Sequence, residues 1–545
     1  MYGFVTADFA AGWRVTVIGW EAGHVVTPAR SVLLAAFALI AMAIAVPFIL
    51  APGATRGLER AVVRGPARGV QVGLVIAGFA MFLAAVWVLR AFPNSGDEYD
   101  YLFGANTILA GRLWNPLLPG QAFFSFFHIF QKAGKWVEQY PPGWPGLLAA
   151  TRWVGLPFWI ASPVLGTLLL VFLARLAGRL GGAMCAVVAL LLYLPSAFAV
   201  INSGSFFSHV PAALFGLVFT YYGLKFLDAP RWGSALLAGA GLGVLGTIRP
   251  FDVPVFAMPF AVEFLWRARS THYVRVLGII LAGLPFLAIL CAYNDAITGH
   301  PFLLVTSWGY PLLKIGIPSV SETGLQSSLL DTTMQAGGRI IELAEWTSPI
   351  LLLAYAPALL WRWHRRELRF HDFVFPMIVA AFLLYPTFGD NRYGPRYYFE
   401  AYPLFVMTIA TAAVSAWSTL DDARLRGAIV GLVPGHVVTC LISLVLISLS
   451  LRQVIDERMD LYDQVAQAGI HDAIVVVGSG TGVLRPMEPR DLLRNGINRT
   501  GDVIYALDLP GRLSELRRMF PGRKFYIYDR ASNVVRGRLT PLAAP

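Results

Sequence analysis

Residues 70–100 read VQVGLVIAGFAMFLAAVWVLRAFPNSGDEYD. The first part, up to Arg90, carries no charge. At about 1.5 Å per helical residue it is long enough to cross the roughly 30 Å hydrocarbon layer of a bilayer. Three acids, Asp97, Glu98 and Asp100, then stand within four residues of one another. A span that ends on clustered carboxylates sets both the fold class and the place to look for chemistry.

The rest of the chain repeats the first half of that pattern. It has 545 residues, of which 57% are hydrophobic and 14% charged, and its mean hydropathy is +0.61. A soluble chain would carry about 25% charged residues. Apolar runs near 31–50, 70–90, 153–173, 182–200, 209–227, 233–248, 252–266, 276–293, 348–361, 373–389, 398–416 and 428–450 predict about twelve helices. The expected class is an all-α polytopic membrane protein.

The net charge of +11 does not point to nucleic acid, because the arginines fall in short loops between apolar runs. The segments 52–69, 267–275 and 361–371 are rich in them and are expected to be cytoplasmic. The segments 94–100, 201–208, 249–252, 294–347 and 389–397, and everything after 451, then face outward. Arg14 and Glu21 interrupt the first stretch, which argues against a cleaved signal peptide. Cys185, Cys291 and Cys440 lie within expected spans and read as small apolar residues, not as a disulfide framework or a zinc site.

Two units are expected. Residues 1–451 form the membrane body, with a first external loop at 92–150 and a second at 294–347. Residues 452–545 form a small α/β domain outside the membrane. There HDAIVVVG, GDVIYALDL and RKFYIYD read as strands, with RLSELRRMF as a helix. The GSGTG at 478–482 lacks the full glycine fingerprint of a nucleotide site and reads as a tight turn.

Ser95 with Glu98 three residues later fits a capping box. Leu102, Phe103, Asn106, Leu109 and Leu113 recur at helical spacing, which predicts an amphipathic helix on the outer surface. On pattern alone, the acids need do no more than favour the positive end of that helix. Further on, KWVEQYPPGWPGLLAA (135–150) brings the chain back to the membrane through Tyr140, Pro141, Pro142 and Trp144.

An acidic pair after an early span, followed by this proline-punctuated return, resembles the GT-C glycosyltransferases. The likeness is greatest to the bacterial relatives of protein O-mannosyltransferases and of the lipid A aminoarabinose transferase. It covers roughly residues 70–450. It implies a GT-C-like fold and transfer of a sugar from a polyprenyl-phosphate carrier to an acceptor on the outer side of the membrane. It also implies a catalytic acid in the first external loop, at the position of Asp97, with Glu98 beside it. Some GT-C enzymes need a divalent ion, which Asp97, Glu98 and Asp100 would hold; the mannosyltransferase-like branch generally does not. No cluster here has metal-ligand spacing, so no metal or other cofactor is expected.

The residues suit that chemistry in their own right. A phosphate ester is already a good leaving group, so no strong acid is needed. A base is needed to take the acceptor hydroxyl's proton, and direct attack would invert the anomeric carbon. Asp97 is the expected base, and Glu98 would orient the acceptor or bind the sugar. The segment FGDNRYGPRYYFEAYP (388–403) offers Arg392 and Arg396 to the phosphate, among Tyr393, Tyr397 and Tyr398. An interfacial belt of aromatics with snorkelling arginines would read the same way.

Arg249 and Asp252 in TIRPFDVP are further candidates, or a pair closed on itself. His209, at the head of a span, and His128 and Lys135, in the first loop, complete the set. The long loop 294–347, with Trp308, Lys314, Glu322, Asp331 and Glu345, would act as a lid or select the acceptor.

The expected partners are a polyprenyl-phosphate-linked sugar, an envelope glycan, lipid or protein acceptor, and membrane lipids. The expected location is the bacterial plasma membrane, with the site and the C-terminal domain on the extracytoplasmic side. A transporter or flippase of lipid-linked glycans is the alternative. It would carry polar groups along a path through several spans, whereas here the charged residues gather on the outer side, with few in mid-helix positions. A non-enzymatic scaffold would leave the carboxylate and arginine segments without a role.

Overall fold

The computed structural model describes residues 28–51, 66–126, 128–309, 329–384, 393–477, 492, 494–529 and 537–542. Arg392, Lys314, Glu322, the GSGTG turn and most of the basic segment 52–69 lie outside the described residues.

Long apolar runs fold as helices because a backbone away from water must bond to itself. By length and composition, six helices among the described residues can cross a membrane, or seven if the pair Ala336–Trp346 and Pro349–His364, bent by 113°, is one span. Several other expected spans are shorter, such as Trp232–Ile248 at 17 residues and Asp252–Arg267 at 16.

The Ala161–Tyr193 helix is two arms joined at Gly181–Gly182, where the backbone leaves the helical region. Gly182 has φ 75, a conformation that a glycine adopts without strain. Gly166 packs on Ser203, whereas Arg179 Nη2 bonds Asp228 Oδ2 at 2.7 Å at the other end of the bundle. The arms therefore form a hairpin, the first beginning at Ala161 and not at 153.

The Ala423–Gln467 helix packs against Pro28–Leu50 along Gly427, Gly431 and Gly435, which meet Phe48, Ala45 and Ala41. Glycine every fourth residue lets the two backbones approach closely. The expected boundary at 451 falls inside this 45-residue helix. At about 1.5 Å per residue it runs for roughly 67 Å, about twice a bilayer's hydrocarbon thickness. Its second half carries Asp456 and Asp463, which Arg90 bridges at 2.9 and 3.2 Å.

Beyond it lies a four-stranded sheet in the order Val503–Leu507, Ala473–Val477, Lys524–Asp529, Arg538–Pro541. Its strands are β4 (Ala473–Val477), β5 (Val503–Leu507), β6 (Lys524–Asp529) and β7 (Arg538–Pro541). β4 pairs in parallel with β5 and β6, and β7 closes the edge in antiparallel. The central β4, AIVVV, is buried throughout, as a parallel strand covered on both faces should be.

The first loop carries the helix Gly96–Leu109 and a second small sheet of order β1-β3-β2, built from Asn115–Pro116, Lys135–Glu138 and Ile129–Lys132. Phe123 and Phe124 from this loop are buried among Ile474, Val476 and Ile504 of the C-terminal sheet and Leu516 of the helix Leu513–Met519. The loop and the sheet thus share a core.

At the opposite end of the bundle, Arg369 bonds Glu263 at 2.5 Å and Asp228 at 2.9 Å. Arg267 also meets Glu263, at 2.8 Å. The basic segments 267–275 and 361–371 therefore lie at one end, as expected, away from the acids of the first loop.

Candidate active site

The helix Gly96–Leu109 starts as its sequence predicts. Ser95 Oγ accepts from the Glu98 amide at 3.1 Å, and Glu98 Oε2 accepts from the amides of Asn94 and Ser95, each at 2.9 Å. Its expected orientation needs correction. Leu109 and Leu113 are exposed, while Asp97, Glu98, Asp100, Tyr101 and Ala105 are buried. The helix is sunk into the protein on its acidic side, because the polar side finds partners on other elements.

Glu98, the second expected acid, is more heavily engaged. Besides its two amide bonds at Oε2, its Oε1 accepts from the Phe206 amide at 3.0 Å, and Tyr393 Oη reaches Oε2 at 3.4 Å. It is fully buried. Glu98 ties the helix start to two other segments. Tyr393 shares that role, since its carbonyl accepts from Asn202 Nδ2 at 2.8 Å.

Asp97 is differently placed. Its Oδ1 accepts from Tyr140 Oη at 2.6 Å and its Oδ2 from Arg396 Nη1 at 2.6 Å. His128 Nδ1 stands 3.6 Å from Oδ1. The three expected residues therefore converge, Tyr140 from 43 residues and Arg396 from 299 residues beyond Asp97. Burial pushes the Asp97 carboxyl up, but Arg396, then His128 and Tyr140, outweigh it and hold it well below the usual carboxylate range.

Arg396 opens a single turn, Arg396–Tyr398, and its guanidinium lies 4.3 Å above the Phe207 ring and 5.1 Å from that of Tyr397. Its Nη2 reaches Tyr397 Oη at only 3.4 Å, and its buried Nε has no partner among the described residues. The fork is thus held in place by rings while donors remain for an anion.

Beside this pair lies a second cluster. Glu400 Oε1 meets His209 Nδ1 at 2.6 Å and Arg249 Nε at 3.0 Å. Arg249 Nε also reaches Asp252 at 2.8 Å. The edge of the Tyr397 ring faces His209 at 6.1 Å between centroids, which joins the clusters. Glu400 was not singled out in the sequence. As an acid at the head of an apolar run, in FGDNRYGPRYYFEAYP, it had a signal.

Two further acids had weaker signals. Asp100 Oδ2 accepts from the Gln139 amide at 3.2 Å, and Glu138 Oε1 from Tyr293 Oη at 2.8 Å. Burial, then the neighbouring Glu138, push Asp100 well above the usual range, and burial takes Glu138 up to about 7. Lys135 proves structural: its Nζ donates to the carbonyls of Ala296 and Ile297, at 2.8 and 2.7 Å, in the last turn of the helix Leu277–Thr298. A cation there meets the negative end of the helix.

The carboxylates of Asp97, Glu98 and Asp100 thus point to different partners. Among the described residues, no group of three or more His, Cys, Asp or Glu side chains is arranged to hold a metal ion.

No protein-family model matches the chain, and no curated protein matches it in sequence. Solved structures do resemble it. ArnT from Cupriavidus metallidurans in the apo state aligns at TM-score 0.52 and 13% identity, over 87% of this chain and 97% of that one. The same protein bound to undecaprenyl phosphate aligns at TM-score 0.51 and 12% identity, with the same shares covered. The fold is the GT-C fold.

Proposed function

We propose that this chain is an integral-membrane glycosyltransferase. It moves a sugar from a polyprenyl-phosphate donor to an acceptor hydroxyl at the outer face of a bacterial plasma membrane. The acceptor is an envelope glycan, lipid or protein. The observation that carries this reading is the Asp97–Arg396 pair, 2.6 Å across, built from the first loop and the 393–403 segment of a GT-C fold. One structure of like fold holds undecaprenyl phosphate, the carrier such a reaction would leave behind.

The acceptor oxygen attacks the anomeric carbon, and its proton passes to an Asp97 oxygen. The carbon's bond to the phosphate oxygen breaks, and that oxygen keeps the electron pair as the carrier's phosphate. The configuration at the anomeric carbon inverts. Arg396 neutralises the charge growing on the leaving phosphate. Arg249, held by Glu400 and Asp252, supplies a second cation, with His209 beside it. Tyr140 orients Asp97, and Tyr397 backs Arg396. The C-terminal sheet lies on the same side of the membrane.

The test is transfer of radiolabelled sugar from polyprenyl-phosphate donors to an envelope fraction, by wild type and by Asp97→Asn. A base is worth roughly 10²–10⁴ in rate. Transfer lost in folded Asp97→Asn supports the reading. Equal transfer removes Asp97 from the chemistry. Movement of lipid-linked glycan across proteoliposomes without consumption of donor would favour a flippase.

A further inference from the structure

A carboxylate that is to take a proton is held here by two donors, one of them a cation. Both Asp97 oxygens are engaged, at 2.6 Å each, and the residue is 8% exposed. In this arrangement Asp97 is a weak base. Burial acts to raise its proton affinity, and Arg396 is the largest of the influences that overcome it.

Arg396 is also the cation best placed to leave. Among the described residues its Nε has no partner, and its Nη2 has only the 3.4 Å contact to Tyr397. An arginine meets a phosphate through two adjacent nitrogens, and while Nη1 holds Asp97 the Nε–Nη2 edge offers such a pair, so a phosphate seated there competes with Asp97 for the same guanidinium.

We infer that the phosphate of a seated donor draws Arg396 away from Asp97, and that the carboxylate takes the acceptor's proton only once this has happened. The inference rests on the glycosyltransferase reading. Two anions in a dry site compete for one guanidinium, and their mutual repulsion is strong where the dielectric is low. As the bond to the sugar breaks, charge grows on the phosphate oxygen and its hold on Arg396 tightens. Base strength then rises as the leaving group departs. Without a donor, Asp97 stays neutralised by its arginine. Tyr140 remains on Oδ1 throughout and keeps the carboxylate oriented.

The test is a binding cycle on the full-length protein in detergent, with undecaprenyl phosphate as the probe. Dissociation constants are measured for wild type, Asp97→Asn, Arg396→Gln and the double variant. Asp97→Asn is expected to bind roughly ten-fold tighter than wild type, because its arginine is already free. In the Arg396→Gln background the same substitution should change little. Equal gains in both backgrounds would mean that Asp97 acts by charge alone, and would overturn the exchange while leaving the glycosyltransferase reading in place. So would the absence of any gain. Failure of wild type and all folded variants to bind would overturn that reading and the exchange together.

A second measurement needs no arginine variant. The Asp97 carboxylate band, taken from the infrared difference between wild type and Asp97→Asn, should shift when undecaprenyl phosphate binds. An unmoved band in a saturated sample overturns the exchange.

Discussion

Glu400 Oε1 lies 3.0 Å from Arg249 Nε, and the same oxygen lies 2.6 Å from His209 Nδ1. One carboxylate from the 393–403 segment therefore fixes a cation and an imidazole from two other segments. Arg249 keeps partial exposure, with its Nε held by carboxylates on one side. Glu400→Gln keeps the size of the side chain but loses the charge that clamps Arg249. A displacement of about 1 Å costs roughly 10² in rate where geometry is critical. The expected result is a fall of that order in kcat/KM for the lipid-linked donor, mostly through KM, in a protein that still folds. An unchanged donor KM would make the cluster purely structural.

Glu98 should behave in the opposite way. It accepts from three backbone amides and is fully buried. Glu98→Ala leaves those donors without partners, at about 1–3 kcal/mol for each group that water does not reach. The melting temperature in detergent should fall clearly, and Ser95→Ala should lower it less, by about 1 kcal/mol of stability. Transfer activity per folded molecule should stay near wild type in Ser95→Ala. A large loss of activity in Ser95→Ala at unchanged stability would return this capping box to the chemistry.

The capping box was legible because it is local: four consecutive residues contain it. Asp97, Tyr140 and Arg396 were legible as residue types in the wrong surroundings, charged or polar groups beside apolar runs. Their convergence was not, since periodicity carries no distance between segments. Glu98 looked as reactive as Asp97, because only packing reveals that the Phe206 amide occupies one of its oxygens. The boundary at 451 was misplaced for a related reason. Charges at Arg452, Asp456 and Asp463 end the apolar run, but they do not end a helix, whose backbone bonds are indifferent to hydropathy.

The first loop and the C-terminal sheet should melt together. Phe123 and Phe124 sit in the sheet's core, and Arg499 Nη1 donates to the Pro119 carbonyl at 2.9 Å with its guanidinium 4.0 Å from the Phe124 ring. Phe124→Ala is expected to cost roughly 3–5 kcal/mol, as buried phenylalanines do. Amide exchange should quicken in both β4 and the helix Gly96–Leu109. Faster exchange confined to the C-terminal sheet would show that the two are energetically separate.

Stability should depend on pH through Glu138. Burial raises its carboxyl to about 7 in the fold, against an ordinary value of 4.5, while the Tyr293 hydroxyl bond opposes the rise. Between those two values the folded state binds more protons than the unfolded one. Stability therefore falls as pH rises through that window, because unfolding releases a proton. Asp100, which faces Glu138 and is raised well above its ordinary value, acts in the same direction. The melting temperature in detergent should accordingly drop between about pH 5 and pH 8. Glu138→Gln, which keeps an oxygen for Tyr293 but cannot ionise, should reduce that slope and melt higher than wild type at pH 8. An undiminished slope in Glu138→Gln would assign the pH dependence to Asp100 alone.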